Sequence, residues 1–324
     1  MSNVSIHSPA GTDPGVPGQG PANMKRVQVV PPKHVGRWFT GLVTAALMAL
    51  LIWGVATAPN IAWDVVGEYF FNGTLMEGMR LTIVLALVAL VVGVVLGTIV
   101  ATMRLSSNPV LQAIASGYIA VFRGTPLLIQ IIFWYNIALV VPKLTLGWPA
   151  EGLGVSVPMN TLMTPTVAAI LALGLNEAAY MAEIVRGGVL SIPKGQEEAA
   201  SSLGLNPKQT MWRVVLPQAV RSIIPPTGNQ LIVLLKNTSL VSVIAARELL
   251  TASQQIYAQN FYTIELLIVA AFWYLAMTTV ATVGQSYLER RFEYTQRSRA
   301  TPFLQKLWQT ATTIGRPKYM EIKA

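Results

Sequence analysis

The 324-residue chain is 53% hydrophobic and only 11% charged, against about 25% charged residues in an ordinary soluble domain. With a mean hydropathy of +0.51 and a net charge of +9, lipid is the main solvent, and the cations mark membrane topology rather than a nucleic-acid partner. Cysteine is absent, and the only 2 histidines, His7 and His34, precede the first apolar run; disulfides, a Cys nucleophile and a His-based triad or metal site in the membrane are thereby excluded.

Residues 1–23 are rich in Pro, Gly, Ser and Asn, which predicts a disordered tail. It is not a signal peptide, because the charged stretch and the apolar run come too late. Lys25, Arg26, Lys33 and Arg37 follow. Phe39–Ala58 is then free of charge, and at ~1.5 Å per residue it is long enough for the ~30 Å hydrocarbon core. Leu81–Met103 is a second charge-free span, and 104–109 a polar turn. Val110–Phe122 carries Gln112, Ser116 and Tyr118 and is expected to be an interfacial helix. It leads into a third span at Gly124–Val141, with Arg123 near the inner surface. Pro142–Met163, rich in Gly and Pro, is expected to be an external loop. Pro165–Val185, Ser222–Ala245 and Thr263–Leu288 complete six expected spans, and Pro225-Pro226 should kink the fifth.

The lysines and arginines set the orientation. With the N-terminus inside, cytoplasmic segments collect the four residues above, Arg104, Arg186, Lys194, Lys208, Arg213 and the basic C-terminal tail. External loops hold only Lys143 and Arg247, with Arg80 at an outer edge, and carry Asp64, Glu68, Glu77 and Glu151 instead. Both termini are expected inside.

The loop at 187–217 is too polar to cross. It reads as a short cytoplasmic helix that starts after Pro193, carries Glu197 and Glu198 in its first turns, and ends in a left-handed cap at Gly204. Asn206-Pro207 reads as the cap and first residue of a second short helix. Ala199, Ala200 and Gly204 leave part of the surface bare, so another backbone can approach closely. A connector helix with no partner fits these features equally well.

The spacing Glu198-Ala199-Ala200, then Gly204, Val214 and Leu216-Pro217 resembles the signature of ABC-importer permeases, with Val214 in place of Ile the sole departure. The phrases Arg123-Gly124-Thr125-Pro126-Leu127-Leu128, Ala179–Gly188, Pro193-Lys194-Gly195-Gln196, Leu216-Pro217-Gln218-Ala219 and Lys236-Asn237-Thr238-Ser239-Leu240 narrow the resemblance to the polar-amino-acid permeases (histidine, glutamine, glutamate and arginine type). It covers roughly residues 70–295. The resemblance implies an all-α integral membrane protein with a five-helix importer core and a cytoplasmic coupling helix; smaller members have five spans, and this chain departs from them by adding one N-terminal transmembrane helix at 39–58 and a long N-terminal tail. The implied domains are a disordered basic tail at 1–37, the added helix and an external loop at 38–70, the importer domain at 71–295 and a basic cytoplasmic tail at 296–324.

The implied function is that of a bacterial inner-membrane permease subunit, not an enzyme. The chain lacks the Gly-x-x-x-x-Gly-Lys-Ser/Thr loop, so ATP-Mg belongs to a partner ATPase dimer, and no cofactor to this chain. An external amino-acid-binding protein and a second permease subunit, identical or paralogous, complete the assembly. Gly195, Glu197, Glu198, Ala199, Ala200, Gly204 and Pro217 are the expected ATPase-coupling residues.

For the pathway, Glu177 lies nine residues before Arg186, about 13 Å from the inner boundary, with Asn176 beside it. Asn229 and Gln230, counted from Arg221, reach a similar depth. These four and Gln130 are candidates to line the pathway, with Glu177 meeting a substrate ammonium. A polar interhelical clamp, or an ion pair of Glu177 with Arg80 or Lys236, fits as well. Thr238 and Ser239 are candidates by resemblance alone. The alternative function is a secondary transporter or channel with Glu177 as proton or ion site.

Overall fold

The computed structural model describes residues 25–29, 35–148, 153–292 and 318–322, with 25–29, 35–38, 148, 153 and 318–322 as backbone only. The expected tail at 1–23 and most of the basic tail at 296–324 lie outside the described residues. The chain divides into two units, one of residues 1–58 and 296–324, the other Pro59–Thr295.

The first unit contains β1 (Lys25–Val29) and α1 (Val35–Ala56). β1 pairs antiparallel with β4 (Lys318–Ile322). The window Phe39–Ala56 has a mean hydropathy of 2.0, enough for a membrane span by length and composition.

In the second unit, α2 (Trp63–Tyr69) leads to α3 (Gly73–Leu105), α4 (Pro109–Gly124) and α5 (Leu127–Tyr135). The hairpin β2 (Lys143–Trp148) and β3 (Leu153–Pro158), with the short α6 (Met159–Leu162), precedes α7 (Pro165–Leu190). Next come α8 (Lys194–Ser202) and α9 (Pro207–Thr210). A π turn (Met211–Val215) joins α9 to α10 (Leu216–Asn237), which runs into a 3₁₀ helix (Thr238–Ile244). The chain continues through α11 (Leu249–Asn260) and α12 (Thr263–Phe292).

The described residues are mostly helical, but two short antiparallel β ladders among them qualify the all-α expectation. The segment at 142–163 is a hairpin rather than an irregular loop. Leu144 faces Val157 and Leu146 faces Val155, a period-2 apolar pattern hidden among turn residues.

Among the described residues, four helices are long and apolar enough to cross a membrane, or up to 6 if each bent pair is one span. The third expected span is the main departure. α4 and α5 meet at 102°, because Pro126 removes a donor and biases Thr125 to an extended conformation. α5 has 9 residues, about 13 Å, too short to cross the core alone. α4 lies against α7, where the Tyr118 hydroxyl donates to Leu175 O at 2.7 Å, and Ser116 bonds Arg104 of α3. Such lateral bonds are a use of polar residues that composition does not distinguish from solvation. α10 continues unbroken through Pro225 and Pro226. The break in that region comes later, where a 45° bend separates Ile244 from Leu249 and Ala245 adopts φ 54°. α11 itself was not anticipated from the sequence.

The core lies between α3, α7, α11 and α12. α3 and α7 approach closely because glycine lines their seam. A Cβ built on Gly97 would lie 2.8 Å from Ala178 O and 3.0 Å from Ala182 N. Small residues at such seams let backbones pack where no hydrophobic drive exists between helices in lipid.

Candidate functional site

The polar loop at 187–217 is ordered by its own breakers. Pro193 is the N-cap of α8, and Glu197 lies in its first turn. Gly204 has φ +78°; its N–H reaches Ser201 O at 3.0 Å, and the Leu205 N–H reaches Ala200 O at 3.1 Å. These two bonds form a Schellman cap, for which glycine is the favoured residue. Asn206 then opens α9 with a full capping box: its side chain accepts from Gln209 N at 2.9 Å, and Gln209 Oε1 accepts from Asn206 N at 3.0 Å.

Gly195, Glu197, Glu198, Ala199 and Gly204 are exposed, as is Pro217 at the start of α10. Ala200 is the exception among the expected coupling residues: it is 3% exposed and faces the protein, so it cannot belong to a bare outer surface. The reason is the helical period, which points Ala200 inward while Ala199 and Leu203 face out. Leu203, 83% exposed, adds apolar surface to the outer face, which the sequence did not single out.

Deeper in the helical unit, the expected pathway residues separate into pairs. Gln230 Nε2 donates to both oxygens of Glu177, at 2.9 and 3.1 Å. Glu177 is 3% exposed and lies against Gly93 of α3. Its partner is thus neither Arg80 nor Lys236.

Asn176 donates to Gln130 Oε1 at 3.2 Å and to Phe122 O at 2.8 Å. Gln130 Nε2 donates to Phe122 O, Thr125 O and Thr125 Oγ1 at 2.9, 3.1 and 2.8 Å. Together these amides satisfy the Phe122 carbonyl in the last turn of α4 and the Thr125 carbonyl just past it, and so pin the 102° bend. Asn229 is exposed and joins neither pair. Thr238 is fully buried, its hydroxyl donating to Leu235 O at 2.7 Å. Ser239 is half-buried, donating to Lys236 O at 2.7 Å.

Two features were missed. Glu248, fully buried, caps α11: Leu250 N and Thr251 N donate to it at 2.9 and 2.8 Å, Thr251 Oγ1 at 3.0 Å and the Tyr274 hydroxyl at 2.5 Å. Only the unrecognised α11 start would have revealed it as an N-cap. The second is the seat of Arg123. Its guanidinium carbon lies 5.1 Å from the Tyr180 ring centroid, and Tyr180 is six residues before Arg186 on α7. One turn before Arg186, Glu183 pairs with Arg186 at 2.7 Å and with Arg104 at 3.5 Å, and Arg104 also bonds Ser116.

The model of the family "binding-protein-dependent transport system inner membrane component" matches residues 93–294. The chain is 43% identical over 281 residues to the arginine transport system permease protein ArgU of Corynebacterium glutamicum, covering 86% of each chain. It is 36% identical over 234 residues to the L-cystine transport system permease protein TcyB of Bacillus subtilis, covering 72% of this chain and 92% of that relative. Among solved structures, an amino acid ABC transporter crystallised with histidines matches with 33% identity and TM-score 0.60, over 70% of this chain and 98% of that one. Helices of span length, a polar loop closed by its own caps and a match across both place the chain among the binding-protein-dependent transport system inner membrane components.

Proposed function

We propose that this chain is the permease subunit of an ATP-driven importer of a polar amino acid, coupled to a separate ATPase dimer through the loop at 187–217. The observation that carries the reading is α8: a capped, exposed helix that presents Glu197, Glu198, Ala199 and Leu203 outward between two breakers. Such a short rod can transmit a rigid-body displacement to α7 and α10, the spans it joins. The names of the relatives support the cargo class: they include arginine, cystine and glutamine permeases.

The subunit crosses the inner membrane six times in this reading, through α1, α3, the bent α4–α5 pair, α7, the α9–α10 run and α12. Both termini are cytoplasmic, and the β1–β4 pairing supports their lying on one side. The tail at 1–37, the added helix at 38–70, the importer domain at 71–295 and the tail at 296–324 are its parts. It works beside a second permease subunit and receives cargo from an external binding protein. ATP-Mg resides on the partner, and no cofactor on this chain.

Gln130, Asn176, Glu177, Asn229, Gln230, Thr238 and Ser239 line or support the pathway. Glu177 and Gln230 form its polar centre, while Gln130 and Asn176 hold its wall at the α4 bend. A secondary transporter using Glu177 as ion site is not favoured, since the relatives are named as permease proteins of transport systems in the binding-protein-dependent family.

The test uses proteoliposomes holding permease, ATPase and binding protein. Glu198→Lys and Gly204→Val are expected to leave ATP hydrolysis running while uptake falls at least about tenfold; valine resists the left-handed conformation that Gly204 supplies. Uptake at the wild-type ratio to hydrolysis in both variants refutes the coupling role.

A further inference from the structure

Arg123 is exposed, and on the topology proposed above it lies on the membrane side of the Arg186 level, with no carboxylate among the described residues ion-paired to it. Its helix, α4, is anchored beside α7 by Tyr118 to Leu175 and by Asn176 to Phe122. Tyr180 and Asn176 lie six and ten residues before Arg186. At ~1.5 Å per residue, the guanidinium therefore sits roughly 9 Å, and the Phe122 carbonyl roughly 15 Å, along α7 from the Arg186 level. Among the described residues, no carboxylate lies within ion-pair distance of Arg123; the nearby Glu183 is already paired with Arg186 and Arg104. The charge instead rests over the Tyr180 ring at 5.1 Å and at the C-terminal end of α4, both of which favour a cation.

Turning such a charge toward lipid costs roughly 2.5–3.5 kcal/mol or more, which marks an intramembrane arginine as a candidate functional group. The clamp explains why it is held so firmly. Gln130 and Asn176 converge on Phe122 O, the residue directly before Arg123. These amides do not offer their donors to a ligand; they fix the backbone that carries the guanidinium. A guanidinium has two parallel donors suited to a carboxylate, and every amino-acid cargo carries one.

We propose that Arg123, pinned over Tyr180 by the Gln130–Asn176 clamp, binds the α-carboxylate of the cargo in the pathway. The proposal rests on the importer reading above and deepens it. It makes recognition of the backbone carboxylate a property of the permease itself, separate from any selection by the binding protein. It also assigns Gln130 and Asn176 a positioning role.

The experiment pairs an amino acid with its decarboxylated counterpart. An uptake panel on the complete wild-type system selects the pair: L-arginine with agmatine, L-glutamate with 4-aminobutyrate, or L-glutamine with 4-aminobutanamide. Equilibrium binding of both members is then measured on the purified permease–ATPase complex without binding protein. The wild type should prefer the carboxylate-bearing member by about tenfold to a hundredfold, the range for a charge-assisted bond. Arg123→Gln should bring that member down to its counterpart's affinity and leave the counterpart unchanged. Arg123→Lys should retain part of the preference and serves as the folding-neutral variant. Equal weakening of both members by Arg123→Gln, or a preference that survives it, overturns the role of Arg123. If the wild type takes up no panel member, the importer reading itself falls, and the proposal with it.

Discussion

Substituting Gly93 by alanine tests whether the α3–α7 seam holds the polar centre in place. A Cβ at that position would lie 2.5 Å from Glu177 Cγ and 2.9 Å from Glu177 Cβ, about 1 Å inside ordinary carbon contact. Relief requires either that the helices part or that the Glu177 side chain turns. Overpacking of a tight interface costs about 1–3 kcal/mol. Turning the side chain also breaks both bonds from Gln230, and a buried polar group left unsatisfied costs about 1–3 kcal/mol more. The sum, about 2–6 kcal/mol, corresponds to a melting point lower by about 4–24 °C, at about 2–4 °C per kcal/mol for a domain of this size.

Tryptophan fluorescence or size-exclusion after heating reads this in detergent; a thiol dye is useless in a chain with no cysteine. Gly187→Ala, where an added Cβ meets nothing within 4 Å, is the neutral control. Combining Gly93→Ala with Glu177→Ala removes the Cγ that the new methyl strikes. The double substitution should therefore be more stable than the sum of the single effects. Strict additivity, or an unchanged melting point in Gly93→Ala, refutes the reasoning.

Glu177→Gln should lower uptake while leaving copurification with the ATPase intact; unchanged uptake kinetics would retire Glu177 from the pathway. Glu248→Ala should destabilise the protein by about 2–4 kcal/mol, since it removes an N-cap and strands the Tyr274 hydroxyl. Glu248→Gln, which keeps one acceptor oxygen, should cost about half as much in the same melting assay. Equal melting points for the two variants would show that the capping bonds contribute little.

Much of the helical plan was legible because it depends on local rules. Charge-free runs announced α1, α3, α7 and α12, since lipid accepts no unpaired backbone and few charges. Pro193, Gly204 and Asn206-Pro207 announced the caps of α8 and α9, since each residue type sets its own dihedral or bond. The pairing of Glu177 with Gln230 was foreseeable only as a shared depth on two spans. Asn229, one residue away, shares that depth and yet is exposed, because a helix turns about 100° per residue.

By itself, then, the sequence determined that this is a multi-span membrane protein with a structured polar loop, and through the long Glu198–Pro217 pattern it determined the family. Solvation, capping and spacing are read along one strand of chain. Tertiary structure alone decided that α4 and α5 bend by 102°, that Ala200 faces inward, that Glu248 is a buried cap, and that Arg123 sits over Tyr180. Each of these follows from which helix lies beside which, and partners far apart in the chain are chosen by packing, which no local pattern records.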